Sequence, residues 1–209
     1  MTILDSVRQM GEADTKALAG LIKREARKGV KVCEIGSWKG GSTEVIGQIV
    51  KQCGGLLYCV DHWCGSPGTG LLEEAQREDM FQLFRENIRQ CGLENTVKSL
   101  VMTSYEAAMV MAAQLFDVVF IDADHRYSQI GADIIAWLPK VRDGGLLAGH
   151  DCEAHFSNLP NDAQRDIRDC CEADMIGVYH GGVILALHEL FNDNFEIHLP
   201  SKIWSKRIR

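Results

Sequence analysis

The sequence lacks a basic face. Its 22 Lys and Arg stand against 29 Asp and Glu, for a formal charge of −7, and nucleic-acid binders need clustered positive charge to replace counterions on phosphate. The one basic cluster, Lys202, Lys206, Arg207 and Arg209, reads as a solvated strand edge. No apolar run is long enough to span a bilayer, and Met1-Thr-Ile-Leu-Asp has no basic start of a signal peptide, so a cytoplasmic location is expected. The eight cysteines show no zinc-finger spacing. Cys33 and Cys59 fall inside apolar runs and Cys170-Cys171 are adjacent, which points to reduced, structural thiols. Internal repeats, low-complexity tracts and linkers are absent from the pattern, so 209 residues are expected to form one domain around one substantial core.

What is present is an alternation of short β-rich runs with helical periods. Val118-Val119-Phe120-Ile121 is too short for a helix and too uniformly apolar for a half-exposed strand, so it reads as a strand buried on both faces. It ends in Asp122-Ala123-Asp124-His125. Ile130, Ile134, Trp137 and Leu138 then keep a helical period until Pro139. Asp143-Gly144-Gly145 reads as a turn into a second buried strand, Leu146-Leu147-Ala148, which closes on Gly149-His150-Asp151. In a parallel sheet the two polar strand ends lie side by side, where open α/β folds bind ligands.

Earlier in the chain, residues 13–28 predict a helix and residues 31–35 the first strand. Gly36 to Thr43 form a glycine-rich turn, with Ser42 or Thr43 as the cap of the next helix. The run 56–61 is the second strand and ends on Asp61. The loop His62 to Gly70, containing Pro67, is expected to be irregular and to lead into one long helix that runs to about Cys91. Val97 to Met102 predicts the third strand. Residues 152–180 carry a weak pattern, with a helix from Asp162 to Cys171, and read as a substrate-covering insertion. Gly181-Gly182 open the last helix, and a hairpin around Pro200-Ser201 closes the chain.

The glycine turn argues about the ligand. A dinucleotide fingerprint needs its second glycine so that a pyrophosphate can touch the backbone. Trp38 stands there, and Glu34 before the first glycine would repel a phosphate. Both suit a cationic ligand without phosphate.

In these features the sequence resembles the class I S-adenosylmethionine-dependent methyltransferases, in particular the metal-dependent small-molecule O-methyltransferase group of macrocin and cephalosporin-tailoring type. The carriers are VCEIGSWKGGST (32–43), LLYCVD (56–61), FDVVFIDADHRY (116–127) and DGGLLAGHD (143–151), in order. The resemblance implies a single doubly wound α/β domain with a Rossmann-like sheet of order 3-2-1-4-5-7-6 and its last strand antiparallel. It implies that Glu34 and Gly36 line the methionine half of S-adenosylmethionine, with Gly40 in the turn beneath and Ser37 also among the cofactor-binding residues. Asp61 would accept the ribose hydroxyls, His62 and Trp63 would pack on the adenine, and Ser104 would meet its edge; Asp61 also reads as a simple turn acid.

The same resemblance places a divalent metal on Asp122 and on the pair His150-Asp151, with Asp122 also beside the cofactor. His150 departs from the acid or amide of the family. Oxygen ligands favour magnesium or manganese, and an imidazole shifts preference towards manganese, iron or zinc. Asp151 also reads as a strand-end acid that caps a turn. His125, three residues beyond Asp122, stands where related catechol-type enzymes place a base. The lesser alternative is a turn histidine bonded to Asp122 or Asp124. His180 reads as a pocket or a surface residue.

The implied activity is methyl transfer to a hydroxyl of a small molecule, sugar or phenolic, with Asp122 and His125 catalytic. The expected partner is that acceptor, with no nucleic acid or membrane; a homo-oligomer is left open. The alternatives are an NAD(P)-binding oxidoreductase, disfavoured by Trp38, and a non-catalytic S-adenosylmethionine-binding sensor or scaffold, disfavoured by the Asp122, His125 and Asp151 set.

Overall fold

The computed structural model describes Leu4, residues 9–66 and residues 68–209. The rest of the opening pentapeptide and Pro67 lie outside the described residues. Seven strands form one sheet in the order β3-β2-β1-β4-β5-β7-β6. They are β1 (Lys31–Ile35), β2 (Leu56–Asp61), β3 (Val97–Val101), β4 (Phe116–Ile121), β5 (Val141–Gly149), β6 (Glu196–Ile197) and β7 (Trp204–Arg207). The first five are parallel, and β7 runs antiparallel to both β5 and β6. This is the expected order.

Every residue of β4 is buried, because helices cover both faces of the sheet. Its side chains alternate with the pleat: Val118 and Phe120 join one core, Val119 and Ile121 the other. Buried residues of α1 (Glu12–Glu25), α2 (Gly41–Gln52) and α4 (Met80–Gln90) fill the first core. Those of α5 (Ser104–Val110), α6 (Tyr127–Trp137) and α8 (Gly181–Phe191) fill the second, joined by Ile167 of α7 (Asn161–Cys170). All eight cysteines are free, with Cys33 and Cys59 buried. Among the described residues no helix is long and apolar enough to cross a membrane.

Four local expectations are corrected. The long helix before Cys91 is two helices, α3 (Gly70–Ala75) and α4. Asp79 interrupts it: its side chain accepts from the Gln82 N–H and caps α4. Ser42 and Thr43 do not cap α2. Gly40, left-handed at φ 89°, holds that position, and the Thr43 hydroxyl turns back to Glu34. Asp143-Gly144-Gly145 lies within β5 as an irregularity in its register with β4, rather than as a turn before the strand. Three of the four residues of the basic cluster have partners rather than being simply solvated: Arg207 meets Glu25 at 2.6 Å, Lys206 donates to the Asn194 carbonyl at 2.5 Å, and Lys202 turns towards Glu153 and Asp151.

Candidate active site

The carboxyl ends of β1, β2, β4 and β5 open into a cleft of about 850 Å³. Its floor depends on Gly36. That residue has φ 86°, and a Cβ there would stand 2.0 Å from the Asp122 carbonyl oxygen. Only glycine lets β1 leave the sheet this close to the end of β4. Gly36 and Ser37 line the cleft, whereas Glu34 does not. Glu34 is fully buried beneath the turn, where Ser37 and Thr43 donate to its Oε2. Burial pushes its carboxyl up, against the hydroxyl hydrogen bonds that pull it down. Its place in the structure is behind the turn, away from the cleft surface. Gly40 likewise sits in the turn, against Phe84 and Ile88.

Asp61 lines the cleft at the end of β2. Its Oδ2 accepts the Trp38 N–H at 2.9 Å and its Oδ1 the Trp63 N–H at 2.7 Å. It is thus a turn acid as well, and each oxygen keeps lone-pair capacity towards the cleft. Trp63 is corrected: its indole N–H donates to the Trp38 carbonyl and its ring packs 4.7 Å from Phe81 and 4.9 Å from Phe84. It packs in the core and does not line the cleft. His62 remains at the cleft, its Nδ1 accepting the Cys64 N–H. Ser104 also faces the cleft, between the Asp133 carboxylate and the Trp137 indole N–H. Burial raises Asp133 to about 6 despite the Ser104 hydrogen bond.

The densest chemistry lies where β4 and β5 end. Asp122, His150 and Asp151 offer ligand atoms that all lie within 4.8 Å of one another. His150 Nδ1 is 3.4 Å from Asp122 Oδ1 and 3.1 Å from Asp151 Oδ2. Asp151 is held at φ 61°. His125 reaches the same carboxylate, Nε2 to Oδ2 at 3.0 Å, and its Nδ1 is 2.8 Å from Asp174 Oδ1. His125 is therefore bonded to Asp151 and Asp174, not to Asp122 or Asp124; Asp124 instead grips Arg126. His180 is buried, with Nδ1 3.4 Å from Asp151 Oδ1 and 2.6 Å from Glu153 Oε1.

Burial opposes charge on both histidines, and the carboxylates outweigh it. Asp151 and Asp122 raise His125 to about 9 and His150 to about 11. Burial would push Asp151 up, yet hydrogen bonds from His125 and His150 hold it well below the usual carboxylate range. Two carboxylates and an imidazole this close form a donor set that fits a divalent cation, which would replace the protons as the neutralising charge.

Sequence reading missed Asp14, Glu153, Asp174 and Lys202. Asp14 of α1 accepts the Lys202 N–H at 2.8 Å and stands 3.5 Å from His150 Nε2. Lys202 Nζ is 3.1 Å from Glu153. These residues come from the first helix, from residues 152–180 and from the hairpin; none sits in a motif. Of residues 152–180, Asp174 and His180 reach the cleft, while Phe156, Leu159 and Ile167 pack into the core.

The chain is similar in fold to several solved structures. An O-methyltransferase from Bacillus cereus, in complex with SAH, is 17% identical with a TM-score of 0.61, over 96% of this chain and 83% of that one. An SAH-bound methyltransferase from Podospora anserina is 14% identical with a TM-score of 0.63, over 98% and 82%. A proposed caffeoyl-CoA O-methyltransferase from Staphylococcus aureus is 16% identical with a TM-score of 0.62, over 97% and 85%. A family model described as a methyltransferase domain matches residues 33–152, from β1 to just beyond the His150-Asp151 pair. The chain belongs to that methyltransferase-domain family.

Proposed function

We propose that the chain transfers a methyl group from S-adenosylmethionine to a hydroxyl of a small sugar or phenolic molecule, with a divalent cation at Asp122, His150 and Asp151. The observation that carries this reading is the convergence of those three side chains, beside His125, on the cleft that also holds Asp61. Asp61 offers acceptor oxygens for the ribose hydroxyls, in a carboxylate fixed by two backbone N–H groups. Trp38, in the turn where a dinucleotide would need glycine, supports a cofactor without pyrophosphate. A bound divalent cation lowers the pKa of a hydroxyl it holds and orients it.

The protein's part is positioning and proton removal. Methyl transfer from a sulfonium is an in-line displacement, so alignment of acceptor oxygen and methyl supplies much of the acceleration. His125 is the proton acceptor. In the metal-free cluster Asp151 and Asp122 keep its proton on up to about pH 9, so the base role requires those carboxylates to be neutralised. Asp174, on Nδ1, fixes the ring with Nε2 facing the cluster. His125 and His180 close the acceptor side with ring centroids 4.7 Å apart.

The test is methyl transfer from labelled S-adenosylmethionine to a panel of vicinal-diol sugars and catechols, run with calorimetry of S-adenosylmethionine and NAD. Labelled ether product with magnesium or manganese is the expected result. Tight NAD binding without heat from S-adenosylmethionine would overturn it. Tight S-adenosylmethionine binding without transfer to any acceptor would favour the sensor reading.

A further inference from the structure

We infer that His125, His180 and Asp151 form a second metal site, for a borderline transition cation such as Zn²⁺, which takes the catalytic base out of use. The inference rests on the proposed function only for the role of His125; the site itself stands on geometry.

One ligand atom from each of the three residues lies within 4.8 Å of the others, and this group is distinct from the Asp122, His150 and Asp151 group except for the shared Asp151. The imidazoles face opposite oxygens of that carboxylate: His125 Nε2 is 3.0 Å from Oδ2 and His180 Nδ1 is 3.4 Å from Oδ1. Glu153 Oε1, 2.6 Å from the same nitrogen of His180, is a fourth donor within reach.

A further observation points to a metal. His125 Nδ1 meets the Asp174 carboxylate at 2.8 Å. An outer carboxylate on the far nitrogen fixes the tautomer, leaves Nε2 free to ligate and raises its basicity, as second-shell partners of metal-bound histidines do. Two imidazoles with one or two carboxylates favour zinc, cobalt or iron, whereas the oxygen-richer neighbouring set accepts magnesium or manganese. A shared carboxylate can bridge cations a few ångströms apart. Ligation uses the Nε2 lone pair of His125 that would otherwise accept the hydroxyl proton. Zinc beyond the first equivalent therefore inhibits methyl transfer.

Equilibrium dialysis of metal-stripped protein against Zn²⁺, with metal analysis, tests the site without an activity readout. The expected result is two equivalents for the wild type and one each for His180→Ala and Asp122→Ala. One equivalent that survives in Asp122→Ala and disappears in His180→Ala would uphold this site and remove the neighbouring one. The reverse, loss in Asp122→Ala and retention in His180→Ala, would overturn the inference and leave the proposed function standing. No bound zinc would overturn the inference and leave the proposed methyl transfer to its own test with magnesium or manganese. Because His180 begins α8 and is buried, its variant can misfold. Proton NMR of the Co²⁺-loaded wild type covers that case. Shifted imidazole N–H signals from three histidines are expected, and a signal from His150 alone would overturn the site.

Discussion

His125 and Asp151 face each other across the ends of two adjacent parallel strands, Nε2 to Oδ2 at 3.0 Å, although 26 positions separate them in the chain. The pair fixes a pH dependence in the metal-free protein. His125 rises from 6.5 to about 9 on folding. A raised histidine stabilises fully below its unfolded value, and that stability is lost as pH rises through the folded one. Chelator-treated protein should therefore lose on the order of 1–3 kcal/mol between pH ~6.5 and ~9.5. His150, raised to about 11, adds to that loss across the same window, because the folded protein keeps its proton while the unfolded chain releases it near 6.5. Urea melts across this range check it: His125→Ala should start lower and show a flatter profile. An equally steep profile in the variant would mean that another group titrates.

Turnover gives a separate reading of the same histidine. His125→Ala should leave S-adenosylmethionine affinity unchanged and lower kcat by roughly 10²–10⁴-fold, the usual share of acid–base catalysis. Steady-state rates with calorimetry of the cofactor decide this. Wild-type turnover in the variant would return His125 to a structural role.

The metal reading predicts that chelator abolishes transfer and that magnesium or manganese restores it. Asp122→Ala and Asp151→Ala should not recover at ordinary metal concentrations, because each removes a ligand and one of the carboxylates that face His150. His150→Ala should change which metal works best, since it replaces an imidazole donor by water. Rates measured across a metal series provide the check. Full activity in excess chelator would leave His125 to activate the hydroxyl alone.

The motifs were legible because strand ends are local: an apolar run that stops on Asp61, Asp122 or His150-Asp151 states its own position in a parallel sheet. The sheet order followed from resemblance and not from periodicity. What stayed hidden depends on convergence from afar. Asp14 and Lys202 meet across 188 positions, and neither helix period nor strand alternation says which helix face meets which hairpin. Trp63 was misplaced for the same reason, since its partners Phe81 and Phe84 belong to a helix whose start had also been misread. The break before α4 did carry a signal, Asp79 three residues before Gln82, a capping pattern that the apolar stripe around Phe81 and Phe84 masked.

Asp61 supports a third functional prediction. Asp61→Ala should weaken S-adenosylmethionine by roughly 1.5–3 kcal/mol, or about 10–100-fold, if its oxygens take the ribose hydroxyls. The same change strips the Trp38 and Trp63 N–H groups of their acceptor, so stability should fall as well. Asp61→Asn separates the two effects. Its amide oxygen still serves one N–H group, so the melt should recover further than cofactor affinity does. Equal recovery of both would make Asp61 a turn acid only.

Gly36 couples the glycine turn after β1 to the Asp122 end of β4, and a pair of glycine substitutions isolates that coupling. At Gly36 the backbone is left-handed, φ 86°, and a new Cβ would lie 2.0 Å from the Asp122 carbonyl oxygen and 2.6 Å from its carbon. At Gly54 the backbone is also left-handed, φ 60°, but nothing lies within 4 Å of the added atom. Gly54→Ala should therefore cost only the left-handed strain, about 1–2 kcal/mol. Gly36→Ala bears that strain plus a backbone clash that cannot be relieved by rotating a side chain, so at least about 3 kcal/mol is expected. The relief must come from β4, because the clashing atoms belong to the peptide of Asp122. Metal affinity should fall in Gly36→Ala while it is unchanged in Gly54→Ala. Urea melts and manganese titration of the two variants measure both quantities. Equal destabilisation, with equal metal affinity, would show that the turn and the β4 end move independently.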